Sequence, residues 1–331
     1  MDECVGESAE RFMTHHVTRH MTPDSADSQP PSYRADEWQR PSLDYAHPDG
    51  VLRYIDIGQG PTVVLVHGTP TWSIEWRHVI DALASTHRVL APDHLGFGRS
   101  ARPATADYSP EAHARRFADW AAHLGLAASD ESSPLTLVLH DFGGPIALDW
   151  ALQVAASQPQ RLARIVLVNT WCWDLARDPA LGKRARLANS GLVRFLYRHF
   201  NASPRWLIPA AYGDKRRLEP ARHRAYQQRF PDPDGREQVL FALARSLTES
   251  APWFEGLWAR RAALSSVPLH FIWGLADSAF PPSVLEMWTA AFPHATPHTL
   301  AGVGHWPHEE APGSFLEALL PLLQGPAGHR G

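Results

Sequence analysis

Asp141 stands where an apolar run, Leu135-Thr-Leu-Val-Leu-His140, meets Phe142-Gly143-Gly144-Pro145. A strand-like run that stops at a reactive side chain, meets glycines and continues into a helix-like segment describes a nucleophile elbow. Aspartate at its apex selects the chemistry. A carboxylate has no proton to lose before it attacks, so it suits displacement at an sp3 carbon, whereas the serine more usual at such turns suits acyl transfer. The ester so formed must then be hydrolysed, and that step needs a general base. His305, in Gly302-Val-Gly304-His305-Trp306, offers an imidazole, and Asp277, in Gly274-Leu-Ala-Asp277, offers a second carboxylate to hold that ring in one tautomer. Taken singly, the three also read as an N-cap aspartate, a turn aspartate and a loop histidine. Taken together, each lies just past the end of an apolar run, which brings them to one edge of a sheet.

A second motif, His67-Gly68-Thr69-Pro70, follows the run 61–66. A turn there can aim its backbone N–H at position 141. The Thr69 and Phe142 amides then form an oxyanion hole, leaving the Thr69 side chain free for substrate or leaving group. Indole donors for a departing anion are available at Trp171 and Trp173, in Asn169-Thr-Trp171-Cys172-Trp173, and at Trp72. Each of these is equally at home as a packing tryptophan. Gly96-Phe97-Gly98-Arg99-Ser100 begins like a dinucleotide fingerprint but lacks the third glycine, so it reads as a structural turn. No His/Cys/Asp spacing suits a metal, and no cofactor is expected.

The elements that must position these residues alternate along the chain. Short apolar runs at 51–57, 61–66, 88–91, 135–139, 164–168, 268–273 and 296–300 read as strands. Amphipathic segments at 76–85, 110–124, 145–158, 282–292 and 313–323 read as helices. The alternation predicts an α/β fold, a mostly parallel sheet flanked by helices. From 174 to 262 the strand pattern gives way to aromatics and leucines at helical spacing, punctuated by Pro204, Pro209, Pro220, Pro231 and Pro233. This predicts an inserted helical cap over the strand ends. The expected organisation is a disordered leader over 1–43, a core of 44–173 and 263–324, the cap of 174–262, and a frayed tail over 325–331.

In 331 residues, a hydrophobic content of 44% and 13 Trp are ample for a core. A net charge of −4 points to neither nucleic acid nor an anionic membrane as partner, although Lys and Arg outnumber Asp and Glu across the cap. Two cysteines make a disulfide framework implausible and fit a reducing, cytoplasmic setting. No apolar run is long enough to span a bilayer. No obligate protein partner is evident, and a small apolar organic substrate and water are the expected reactants.

The stretches 67–80, 91–103, 137–152, 273–282 and 302–312 closely resemble the haloalkane dehalogenase branch of the α/β-hydrolases. The resemblance covers roughly residues 44–170 and 265–323, and in the cap it extends only to kind. It implies the α/β-hydrolase fold, cofactor-free hydrolysis of a carbon–halogen bond, and Asp141, His305 and Asp277 as the triad. Three positions depart from the family pattern: Phe142 where tryptophan is usual, Thr69 where Asn or Glu is usual, and Leu139 where a small residue is usual. The first two commonly donate to the departing halide. The same triad also serves epoxide hydrolases, in which two cap tyrosines hold the epoxide oxygen; Tyr197, Tyr212 and Tyr226 are available for that. A non-catalytic ligand-binding member of the fold is a third reading, and a complete triad argues against it.

Overall fold

The computed structural model describes residues 19–21, 40–128 and 134–324. The strands are β1 (Arg19–Met21), β2 (Leu43–His47), β3 (Gly50–Ile57), β4 (Thr62–Val66), β5 (Arg88–Pro92), β6 (Leu135–His140), β7 (Leu162–Val168), β8 (Leu269–Gly274) and β9 (Pro297–Leu300). They form one sheet in the order β1-β9-β8-β7-β6-β4-β5-β3-β2. Pairing is parallel from β1 to β5 in that order, and antiparallel only at β5–β3 and β3–β2.

The alternation of side chains along each strand divides the apolar residues between two faces. Val64, Val66, Leu137, Leu139, Ile165 and Leu167 join one core cluster, and Val63, Leu65, Val138, Val166 and Val168 join the other. Both faces are therefore covered, which is why these strands read as unbroken apolar runs. The helices α1 (Arg77–Leu83), α2 (Pro110–His123) and α3 (Gly143–Ser157) precede the cap. Ser109 starts α2, its hydroxyl accepting from the Ala112 amide with Pro110 in the first turn.

Between β7 and β8 the chain forms helices and no strand: α4 (Pro179–Ala188), α5 (Gly191–Phe200), a π-type turn at Ser203–Leu207, α6 (Ile208–Ala211), α7 (Pro220–Gln228), α8 (Pro233–Gly235), α9 (Ala242–Glu249) and α10 (Ala251–Ala259). Asp178 and Ser190 cap α4 and α5, and Asn201, left-handed at φ 54°, ends α5. Leu181, Leu243, Phe254 and Trp258 from these helices join the same cluster as β6 and α3, so this segment shares the core. The chain closes with α11 (Pro282–Ala291), α12 (Pro307–Glu310) and α13 (Pro312–Leu323).

Several element bounds differ from the expectation, each for a physical reason. β2 was not anticipated because an edge strand needs no apolar run; its residues Leu43 and Asp44 face solvent. The helix expected over 76–85 is a 3-10 turn, Ser73–Trp76, followed by α1. The short α12 has no counterpart in the sequence pattern, since four residues carry no periodicity. Of the expected leader, residues 19–21 form β1, which pairs with β9. Its remaining residues below 40, and the expected tail, lie outside the described residues. No helix among the described residues is long and apolar enough to cross a membrane.

Candidate active site

Parallel strands deliver every candidate to one edge. In the ladder Leu139 faces Val66, His140 faces Val168, and Val168 faces Ile272, so β4, β6, β7 and β8 end at one level. Asp141 is the residue after β6, Asn169 the residue after β7, and Asp277 stands three past β8. Asp141 and Asn169 both adopt left-handed backbone, φ 49° and 38°, a conformation Asn and Asp tolerate better than most residues. The tightness of the turn explains the glycines. A Cβ at Gly68 would collide with the Asp141 carboxylate, and one at Gly143 with the backbone carbonyl of Val66.

Asp141, Asp277 and His305 converge. Asp141 Oδ1 accepts from the Thr69 amide at 2.8 Å, and Asp141 Oδ2 lies 3.4 Å from His305 Nε2. His305 Nδ1 faces Asp277 Oδ2 at 2.7 Å. Asp277 is held in turn by the Asn169 side-chain amide at 2.8 Å and by the Ala279 backbone amide at 2.7 Å. All three members are buried. Burial alone would lower the His305 pKa, but the Asp277 charge and the hydrogen bonds to both carboxylates raise it to about 10. Burial opposes ionisation of Asp277, and the charge and hydrogen bond of His305 overcome it, so its pKa is lowered.

Beneath the triad lies a polar network that no sequence spacing reveals. Both ring nitrogens of His140 face acceptors: Nε2 the His305 carbonyl at 2.8 Å, and Nδ1 the Glu75 carboxylate at 3.1 Å. The contact of Nε2 with the His305 carbonyl ties the His140 ring to the backbone of His305. Glu75 also accepts from the Thr71 hydroxyl, and His308 Nε2 lies 3.6 Å away. Burial of Glu75 is outweighed by His140 and His308, and its pKa is lowered. His308, stacked on Trp76 at 4.0 Å, is pushed by burial down to about 4. Glu75→Ala leaves buried imidazoles without their anion. It should cost about 1–3 kcal/mol, since it leaves buried hydrogen-bonding groups on His140 and Thr71 without their partner. Urea denaturation of the variant checks this, and an unchanged midpoint refutes it.

The tryptophan candidates separate. Trp171 meets Phe142 edge-on at 4.9 Å and Phe280 at 4.7 Å, and Phe280 lies 5.6 Å from His305. The indole N–H of Trp171 is buried without a partner, as is the Thr69 hydroxyl. Trp173 instead packs between Trp258 and Trp288, and Trp72 packs edge-on against Tyr226. The Trp173 indole N–H is also buried without a partner, so what separates Trp171 is its contact with Phe142, which no spacing of indoles in the sequence foretells. The three tyrosines also separate. Tyr212 and Tyr226 both donate to Glu309, at 3.0 and 2.8 Å, and Glu309 is ion-paired to Arg77. That buried group ties the cap to the core. Tyr197 is instead pushed up to about 12, chiefly by burial and in small part by the Asp141 charge.

Other sequence expectations resolve into structure. Gly96 and Gly98 are left-handed turn residues, and Ser100 donates to the Asp93 carbonyl while accepting from the Arg53 amide. Cys172 is buried, and burial pushes its thiol pKa up. A cavity of about 590 Å³ opens at the seam between the 106–108 loop and the cap. Its lining is mostly polar and contains no triad member; its wall residue Phe241 has its ring centroid 6.1 Å from that of Tyr197.

The strand order, the left-handed Asp141 and the acid–histidine pair define an α/β hydrolase. The family model described as alpha/beta hydrolase fold matches residues 61–312, and the chain belongs to that family. Within it the chain is a hydrolase of the haloalkane dehalogenase type. It is 33% identical over 274 residues to haloalkane dehalogenase 2 of Mycobacterium tuberculosis, covering 82% of this chain and 91% of that protein. It is 32% identical over 276 residues to a cis-3-alkyl-4-alkyloxetan-2-one decarboxylase of Shewanella oneidensis, covering 78% of this chain and 81% of that one. An ancestral haloalkane dehalogenase shares the fold with a TM-score of 0.72 at 22% identity, over 84% of this chain and 97% of its own. So does the haloalkane dehalogenase DbeA of Bradyrhizobium elkani, with a TM-score of 0.73 at 21% identity, over 86% and 98%.

Proposed function

We propose that the protein hydrolyses the carbon–halogen bond of a small haloalkane through an alkyl ester on Asp141. The observation that carries the reading is the carboxylate at the elbow's apex, with one oxygen on the Thr69 amide and the other facing His305. An Asp141 oxygen attacks the carbon bearing the halogen. The C–O bond forms as the carbon–halogen bond breaks, and the halide leaves with the bonding pair. His305 then takes a proton from water, and the hydroxide so formed adds to the ester carbonyl. The negative charge on that oxygen falls on the Thr69 and Phe142 amides. Collapse restores the Asp141 carboxylate, and the departing alkoxide takes the proton from His305. Asp277 compensates the imidazolium charge and Asn169 orients Asp277. No cofactor enters this cycle.

A halide is a weak acceptor and needs donors in a dry pocket. With Phe142 lacking an N–H, the unpartnered Trp171 indole, packed on Phe142, and the unpartnered hydroxyl of Thr69, whose amide holds Asp141, are the donors this reading assigns to the halide. Removing a hydrogen bond to a charged group costs roughly 1.5–3 kcal/mol, so Trp171→Phe should weaken bromide product inhibition by about tenfold or more. An unchanged inhibition constant rules Trp171 out as the halide donor. The placement of Tyr212 and Tyr226 on Glu309 disfavours the epoxide reading, which needs two hydroxyls at the nucleophile. The likeness to the oxetan-2-one decarboxylase favours a second reading, loss of CO2 from a β-lactone at the same carboxylate. Parallel assays of halide release from bromoalkanes, diol formation from epoxides and CO2 release from β-lactones test all three. Halide release alone supports the proposal; CO2 or diol without halide overturns it.

A further inference from the structure

Seven large apolar side chains are exposed among the described residues, and six of them, Leu187, Leu192, Phe195, Phe200, Trp206 and Leu207, fall within one stretch of the cap. Chance scatter does not produce that concentration, and contiguous exposed apolar surface marks an interaction site. Helix α5 explains how it arises. Its residues Leu192, Phe195 and Phe200 recur at helical spacing on the outward face, 64%, 50% and 43% exposed, while Tyr197 points inward and is buried. The helix is thus apolar on both sides: Tyr197 packs with Phe241 and Ala244 inside the cap, and the other side meets solvent. The exposed rings are in mutual contact. Phe195 lies 5.9 Å from Phe200, and Phe200 stacks on Trp206 at 6.0 Å.

Cations accompany this stretch of the cap. Arg205 sits over the Trp206 ring at 5.9 Å. Lys183, Arg186 and Arg205, all exposed, make no ion pair among the described residues. Aromatic side chains at the centre with unpaired Lys and Arg at the rim match an anionic lipid interface, where rings enter the headgroup zone and cations meet phosphate. A second copy of the chain fits poorly. A two-fold contact would set the same cations face to face, since such a contact pairs a surface with itself. The net charge of −4 had read against an anionic surface; it averages over a basic cap and an acidic core and so hides the patch. We propose that the outer face of α5 and the Ser203–Leu207 turn dock the cap onto the anionic surface of a lipid bilayer. The cap then rests on the phase in which apolar substrates concentrate.

The test is flotation of the full chain with vesicles of phosphatidylcholine alone and of phosphatidylcholine with phosphatidylglycerol. Binding to the anionic vesicles is expected, falling as salt is raised from 0.05 to about 0.5 M because the cationic contribution is screened. The double variant Phe195→Glu, Trp206→Glu is expected to lose at least tenfold in bound fraction while its turnover of a water-soluble substrate is unchanged. Both residues are exposed and outside the triad, so folding should survive, and the unfolding midpoint checks this. No flotation with either vesicle overturns the proposal. So does binding that the double variant retains. Concentration-dependent dimerisation of the wild type without lipid, abolished in the double variant, would assign the face to a second copy and also overturn it.

Discussion

Asp141→Asn is expected to lose at least about four orders of magnitude in kcat, the scale seen when a covalent nucleophile is removed. The fold should survive, for reasons local to the elbow. Asparagine tolerates the left-handed backbone that position 141 adopts at φ 49°. Its amide oxygen can still accept from the Thr69 N–H that Asp141 Oδ1 now holds at 2.8 Å. What it lacks is the anion that displaces a leaving group. Asp141→Ala should be equally inactive and also less stable, by about 1–2 kcal/mol, because an unpolar Cβ residue at positive φ is strained without a compensating hydrogen bond. Halide release measured beside the thermal midpoint separates the two effects. Activity of the Asn variant near the wild-type level would eliminate the proposed chemistry.

His305→Phe should stop the cycle halfway. Phenylalanine fills the space between Trp306, 4.5 Å from the imidazole ring, and Phe280, so the pocket keeps its shape. Displacement at carbon needs no base and proceeds; hydrolysis of the ester does not. Intact-protein mass spectrometry after exposure to a bromoalkane should show one added alkyl group, mapped to Asp141. The absence of any mass gain would count against dehalogenation. The wild type carries a related pH signature. In the free enzyme His305 is raised to about 10 by Asp277 and Asp141, yet as a base it must be neutral. Alkylation makes Asp141 an uncharged ester and removes one of the two carboxylate supports, so the His305 pKa falls at the moment the base is needed. Rapid-quench measurements should find the alkylation rate nearly flat from pH 6 to 9 and the ester-hydrolysis rate rising with pH, with an inflection well below 10. The same raised pKa has a consequence for stability. A histidine raised in the folded state stabilises fully below its ordinary value of 6.5, and that contribution is lost as pH rises through about 10. The thermal midpoint of the wild type should therefore fall more between pH 7 and 10 than that of His305→Phe.

Phe142 shows how far local pattern carries and where it stops. Its place after the nucleophile is plain from the run Leu135–His140 and the two glycines, and its lack of an N–H donor is plain from its type. Which indole stands in its stead is not. Trp171 and Trp173 are two residues apart in one segment, and only the packing of α10 and α11 turns one toward Phe142 and the other into the Trp258–Trp288 cluster. The three tyrosines pose the same problem: nothing in their spacing tells that Glu309, on the short α12, takes the hydroxyls of Tyr212 and Tyr226.

The alternation of apolar runs and amphipathic segments, the turn chemistry at His67-Gly68 and Gly143-Gly144, and the order Asp141, Asp277, His305 were all readable in the chain. They are local or periodic properties, and backbone sterics and hydrophobic burial act on them directly. The meeting of Glu75, His140 and His308 under the triad, the hold of Asn169 on Asp277, and the outward apolar face of the cap were decided by tertiary structure. Each depends on which side chains from distant strands and helices reach the same few ångströms, and a low-dielectric interior gives such meetings their energy only once the chain has closed around them.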